Sequence, residues 1–218
     1  MIKGVIFDVD GTLLDSMPVW ERLGELYLKS LGVEAEAGLR DVLYHLSMEE
    51  GAAYLISHYS LPLALPQVME GLHACMVDAY ANRVPLKKGV LGFLDGFAAR
   101  RIPVNIATSG DGESVEAALH RLGVRKYFDR IFTCSDGLRG KAFPDVYLAA
   151  ARHMGTEPGD TLVFEDSPYA VLTAKKAGFR VAAVYDPSGG EEQEKVREAA
   201  DFYLPAYGDF DAFMKEAE

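Results

Sequence analysis

Lys3-Gly4-Val5-Ile6-Phe7-Asp8-Val9-Asp10-Gly11-Thr12 opens the chain and decides how the rest of it is read. An apolar run bounded by glycines reads as a short, fully buried strand. It ends in two aspartates one residue apart. Side chains alternate along a strand, so Asp8 and Asp10 are expected to leave its end on one side, into one cleft. Gly11 and Thr12 then turn the chain away. Two carboxylates held that close repel each other unless a cation or a shared proton intervenes. Oxygen ligands suit a hard cation, and Mg²⁺ is the natural candidate.

Working outward, residues 15–83 carry no convincing strand. Val19, Leu23, Leu26, Tyr27 and Leu31 follow helical spacing, and Gly32 is a C-cap signal. A shorter helix is predicted over 39–46. Ser47 and Glu50 then form a capping-box pattern at the start of another helix. Pro62 and Pro66 mark a loop, and 67–82 reads as helix. Beyond Gly89 the pattern alternates. Helices are predicted at 90–100, 114–122, 145–154, 169–177 and about 191–200. Strands are predicted at 102–107, 129–132, 161–164, 181–184 and 202–204. Such alternation argues for a parallel sheet with helices on both faces. The expected architecture is α/β: a Rossmann-like parallel sheet core from residues 1–14 and 84–218, with an inserted α-helical domain over 15–83.

At 218 residues the chain can bury a real core without staples. Its hydrophobic fraction of 49% and charged fraction of 25% are ordinary for a globular protein. The formal net charge of −11 argues against nucleic acid or an anionic membrane as partner, since both need a basic face. Cys75 and Cys134 have neither metal-ligand spacing nor a disulfide framework, so reduced thiols in a cytoplasmic protein are expected. No signal peptide and no membrane span are expected. A monomer is a plausible state.

In open α/β sheets, ligands bind beyond the carboxyl ends of the strands. The first strand supplies Asp8 and Asp10 there. The strand at 102–107 leads into Thr108 and Ser109, and the strand at 161–164 into Glu165 and Asp166. Lys141 precedes Pro144-Asp145 and a helix. Carboxylates can share a Mg²⁺ with a phosphate oxygen. Hydroxyls and N–H groups at a helix start suit the other phosphate oxygens. Lys141 would neutralise charge on phosphate and nucleophile together. A carboxylate in line with phosphorus can attack it and form an aspartyl-phosphate.

Taken together, Asp8-Val9-Asp10-Gly11-Thr12, Thr108-Ser109, Lys141 with Pro144-Asp145, and Glu165-Asp166-Ser167 resemble the four motifs of the haloacid dehalogenase superfamily. The similarity is greatest to the subgroup that includes β-phosphoglucomutase and many small-molecule phosphatases, in which a helical cap follows the first strand. The resemblance implies Asp8 as nucleophile and Asp10 as general acid/base. It implies Mg²⁺ held by Asp8, the Asp10 carbonyl and Asp166, with Glu165 ligating directly or through water. Thr108, Ser109 and Lys141 would bind the phosphate. Asp10 argues against carbon–halogen chemistry, because the dehalogenases lack this second aspartate.

Departures from the mutase pattern choose between the rival activities. Trp20 stands where the mutase carries a histidine, and Met48 where it carries the arginine that grips a distal phosphate. Both are candidate substrate-facing residues of the insert; Trp20 equally fits its core, and Met48 fits a plain helix-start contact. The expected function is Mg²⁺-dependent hydrolysis of a small soluble phosphomonoester. A phosphosugar mutase is the runner-up, and a non-catalytic binding module comes third.

Overall fold

The computed structural model describes residues 1–134 and 137–218. The chain divides into two compact units, Met1–Asp15 with Pro85–Glu218, and Ser16–Val84.

The first unit is built on a six-stranded sheet: β1 (Gly4–Phe7), β2 (Val104–Thr108), β3 (Ile131–Thr133), β4 (Thr161–Glu165), β5 (Arg180–Val184) and β6 (Phe202–Leu204). Every pairing is parallel and the order is β3-β2-β1-β4-β5-β6. This is the Rossmann-like α/β arrangement expected from the alternating pattern. β1 is central and fully buried, which explains why it reads as an unbroken apolar run. Its successive side chains feed opposite faces. Ile6 joins Val163, Val146, Tyr147 and Val171 on one side. Phe7 stacks on Phe164 with centroids 4.4 Å apart, in an aromatic layer with Phe93, Phe97 and Tyr207. Where the chain leaves and re-enters this unit, the two crossings pair. Asp15 N donates to Pro85 O and Lys87 N to Leu13 O, both at 3.0 Å, around a bridge between Leu14 and Leu86.

Several expectations need correction. β3 begins at Ile131 rather than 129, because the Asn105 side chain takes the Arg130 N–H ahead of the ladder. The helix expected from about 191 opens at Gln193, after a short turn of helix over Pro187–Glu192. A helix over Phe210–Ala217 was not anticipated. Asp209 caps it, and Phe213, Met214 and Ala217 are buried at helical spacing.

The regular elements of the second unit are all helices among its described residues. The first expected helix is two, Met17–Glu21 and Leu23–Ser30, because Arg22 leaves helical geometry at φ −107°, ψ 10°. Ser16 occupies the N-cap position but makes no side-chain capping bond. Leu39–Leu43 is shorter than expected. Met48–His58 carries the full capping box of Ser47 and Glu50. The last helix, Leu65–Asn82, starts before Pro66 instead of after it; a first-turn proline lacks only an N–H that would have had no helical partner. Leu23, Tyr27, Leu28, Leu55, Val68 and Leu72 form this unit's core. A β-carbon at Gly71 would collide with the Tyr27 ring, so glycine there sets how closely the two helices pack.

Candidate active site

Asp8 extends β1 by one residue, its N–H donating to Phe164 O at 2.9 Å. Phe7 is in register with Phe164, so Asp8 arrives beside Glu165, the last residue of β4. Asp166 follows at once. The carboxylates of Asp8, Glu165 and Asp166 offer oxygens that all lie within 4.8 Å of one another. The tight turn makes this convergence possible. Gly11 has φ +75°, and a β-carbon on it would run into the Asp166 carboxylate. Glycine alone tolerates both demands. Thr12 Oγ1 donates to Asp166 Oδ1 at 2.9 Å, and Tyr207 OH donates to Thr12 O at 3.2 Å.

Lys141 is buried in this cluster. Its Nζ pairs with Asp8 Oδ1 and, at 2.6 Å, with Glu165 Oε1. Tyr147, on the helix Asp145–Met154, donates its hydroxyl to the same Glu165 oxygen at 2.8 Å. The loop carrying Lys141 is tied to that helix by Arg139, which makes two bonds to Asp145 at 2.6 and 2.8 Å and stacks on Phe143.

The electrostatics follow from three carboxylates around one ammonium out of water. Burial pushes the Asp8 carboxyl well above the usual range; Lys141 opposes this, but Glu165, Asp166 and Asp10 reinforce it. Burial, with Glu165 next, pushes Asp166 up to about 7, against the Thr12 hydrogen bond and Lys141. For Lys141, burial alone favours the neutral amine, but Asp8 and Glu165 override it and hold the ammonium well above its ordinary value. The cluster therefore resists ionising all three carboxyls at once, and added positive charge would favour their ionised forms.

Asp10 lies toward β2. A β-carbon at Gly110 would sit 3.3 Å from Asp10 Oδ2 and 3.2 Å from Thr108 Oγ1, so both groups border that glycine. Asp10 thus borders Thr108 and Gly110, while Asp8 lies against Lys141, Glu165 and Asp166. Thr108 is buried, its hydroxyl accepting from Gly110 N at 2.9 Å. Ser109 is exposed, its hydroxyl 3.7 Å from Cys134 Sγ. Asp111 caps the helix Gly112–Arg121 by accepting from Ser114 N at 2.8 Å.

In the helical unit, Trp20 Nε1 donates to Tyr80 OH at 3.0 Å and its ring packs on that unit's core. Met48 is the first residue of its helix and is 41% exposed. In the sheet unit, Tyr147 and Thr12 also touch the carboxylate cluster and Tyr207 touches Thr12, although the sequence pattern does not single them out as site residues. Only Thr12 carried a signal, by standing in the first motif; the two tyrosines looked like ordinary core positions.

A family model for haloacid dehalogenase-like hydrolases matches residues 2–178. A Drosophila melanogaster protein named as a probable pseudouridine-5'-phosphatase is 30% identical over 220 residues, covering 94% of this chain and 95% of its own. The fructose-1-phosphate phosphatase YqaB of Escherichia coli is 27% identical, over 80% of this chain and 92% of its own. A crystal structure from Thermotoga maritima, provisionally a β-phosphoglucomutase, superposes with a TM-score of 0.87 at 24% identity, over 98% of this chain and 99% of that one. This chain is an enzyme of the haloacid dehalogenase-like hydrolase family, among relatives named as phosphatases.

Proposed function

We propose that the protein hydrolyses the phosphate monoester of a small, hydroxyl-rich metabolite such as a sugar, a polyol or a nucleoside, in a reducing compartment such as the cytoplasm. The observation that carries this reading is the buried pairing of Asp8 with Lys141 at the ends of β1 and β4. An Asp8 oxygen attacks phosphorus as the bond to the leaving oxygen breaks, giving an aspartyl-phosphate. Asp10 protonates the leaving oxygen, then takes a proton from the water that attacks the aspartyl-phosphate. Free alcohol and inorganic phosphate result. Thr108, Ser109 and Lys141 bind the phosphate oxygens.

The donor set suits a hard divalent cation: all oxygen, mostly anionic, with charge to neutralise. Asp8, the main-chain carbonyl of Asp10 and Asp166 would hold Mg²⁺, with Glu165 beside them, and the ion would supply positive charge to offset that of the nucleophile and the phosphate. Full turnover in excess chelator would remove Mg²⁺ from this reading.

Residues 15–83 are read as the cap of this family, the source of substrate selectivity. Hydrolysis is favoured over phosphate transfer within a bisphosphate by the charge balance of that unit, in which each arginine sits beside a carboxylate. Arg22 pairs with Glu25 at 2.9 Å, Arg40 with Glu21 at 2.9 Å and Arg83 with Asp78 at 2.6 Å. Between Ser16 and Val84 stand four basic residues against nine acidic ones. A second phosphate would meet net negative charge, whereas hydroxyls need only neutral partners. The test is a panel of phosphorylated metabolites assayed for phosphate release, with a coupled glucose 6-phosphate assay on β-glucose 1-phosphate. Release from neutral-bodied monophosphates is expected. Isomerisation outpacing release would make the protein a mutase.

A further inference from the structure

Glu165 stands among the carboxylates that could hold a metal, yet its own bonds are all taken by the protein. An ionised carboxylate offers about four acceptor directions. Oε1 accepts from Lys141 Nζ at 2.6 Å and from Tyr147 OH at 2.8 Å. Oε2 accepts from the main-chain N–H of Asp166 at 2.9 Å and of Ser167 at 3.0 Å. Glu165, Tyr147 and Lys141 are all buried. A cation bound directly to either Glu165 oxygen would displace one of these donors and strand it away from water, which is costly. Asp166 is placed differently. Its Oδ1 takes one hydroxyl, from Thr12, and it is only partly buried.

We propose that Glu165 is a positioning residue and not a metal ligand, and that Tyr147 positions it. Through Oε1 Glu165 holds the Lys141 ammonium against Asp8; through Oε2 it fixes the backbone that aims Asp166. Tyr147 occupies the remaining site on Oε1 and so determines which way that oxygen faces. The inference rests on the phosphatase reading for its kinetic arm alone; its metal arm needs no turnover.

The experiment compares Tyr147→Phe, Glu165→Gln and Asp166→Asn with the parent enzyme. Mn²⁺ binding is counted by electron paramagnetic resonance, with Mg²⁺ as competitor and no substrate present. Phosphate release is measured at saturating Mg²⁺, and thermal unfolding checks the fold. Both first variants keep the size of the side chain, so folding is expected. Tyr147→Phe should lower kcat roughly 10-fold with KM and Mn²⁺ affinity unchanged, as expected for a lost supporting hydrogen bond. Glu165→Gln should lower kcat about 10²-fold while changing Mn²⁺ affinity far less than Asp166→Asn does. Adding Tyr147→Phe to Glu165→Gln should cost little more, because the hydroxyl acts through the lost carboxylate.

The proposal is overturned if Glu165→Gln weakens Mn²⁺ as much as Asp166→Asn and high Mg²⁺ restores its rate. It is equally overturned if Tyr147→Phe leaves kcat unchanged, or if its loss adds fully to that of Glu165→Gln. Should the parent enzyme release phosphate from no monoester, the phosphatase reading fails, and the Mn²⁺ comparison still decides the role of Glu165.

Discussion

The two units of this chain treat charge in opposite ways. In the sheet unit, Asp8, Glu165 and Lys141 are buried together and the carboxyls of Asp8 and Asp166 are pushed upward. In the helical unit, the pairs Arg22–Glu25, Arg40–Glu21 and Arg83–Asp78 have at least one partner in solvent, and the buried core is aliphatic and aromatic. Exposed pairs of this kind are worth about 0–1 kcal/mol. Buried, crowded carboxylates instead cost stability, and such strain concentrates where chemistry happens. The contrast marks the sheet unit as the place where buried charge is concentrated, which is where the proposed chemistry would need it.

The sharpest way to break that contrast is Asp8→Asn. Turnover should fall roughly 10⁴-fold or more with the fold intact, since an amide is a far poorer nucleophile. Substantial phosphate release by the purified variant would end the covalent mechanism. Asp10→Asn should cost about 10²-fold, the usual share of a general acid/base. A loss confined to KM would instead make Asp10 a binding group.

A smaller effect concerns stability. In the folded chain the Asp166 carboxyl sits at about 7, against an ordinary value of 3.8. Between those values the folded state binds more protons than the unfolded one, so stability falls as pH rises through this window. In excess chelator, the melting temperature should drop between about pH 4 and pH 7, with Asp8 acting in the same direction. Asp166→Asn should flatten that slope and melt higher than the parent at pH 8. A parent protein that melts higher at pH 7 than at pH 5 without divalent cations, and a variant that follows it, would refute this account of the carboxyl cluster.

The smallest effect is expected in the helical unit. Arg40→Ala should change stability by no more than about 1 kcal/mol and leave kcat and KM within twofold. A tenfold rise in KM would mean that Arg40 reads a charge on the substrate, and the contrast between the units would blur.

Much of this was legible along the chain because it is written in local pattern. The apolar run into Asp8, the capping box at Ser47 and Glu50, and the strand ends at Thr108 and Glu165 are each set by neighbours within a few residues. Local sequence fixes strand alternation, caps and turns, so these motifs could be placed on strand ends before any contact was known. What tertiary structure alone decided is which groups face one another across long gaps in the chain. Tyr147 looks like any core tyrosine until packing sets its hydroxyl on Glu165, 18 residues away. Lys141 meets Asp8 from 133 residues away, and Tyr207 reaches Thr12 from 195. Registers between strands and the packing of helices on the sheet create those meetings, and burial then alters what the same side chains can do. The residue types fixed the chemistry on offer; the removal of water around Asp8, Lys141 and Glu165 decided their charge, and that follows from the assembled core.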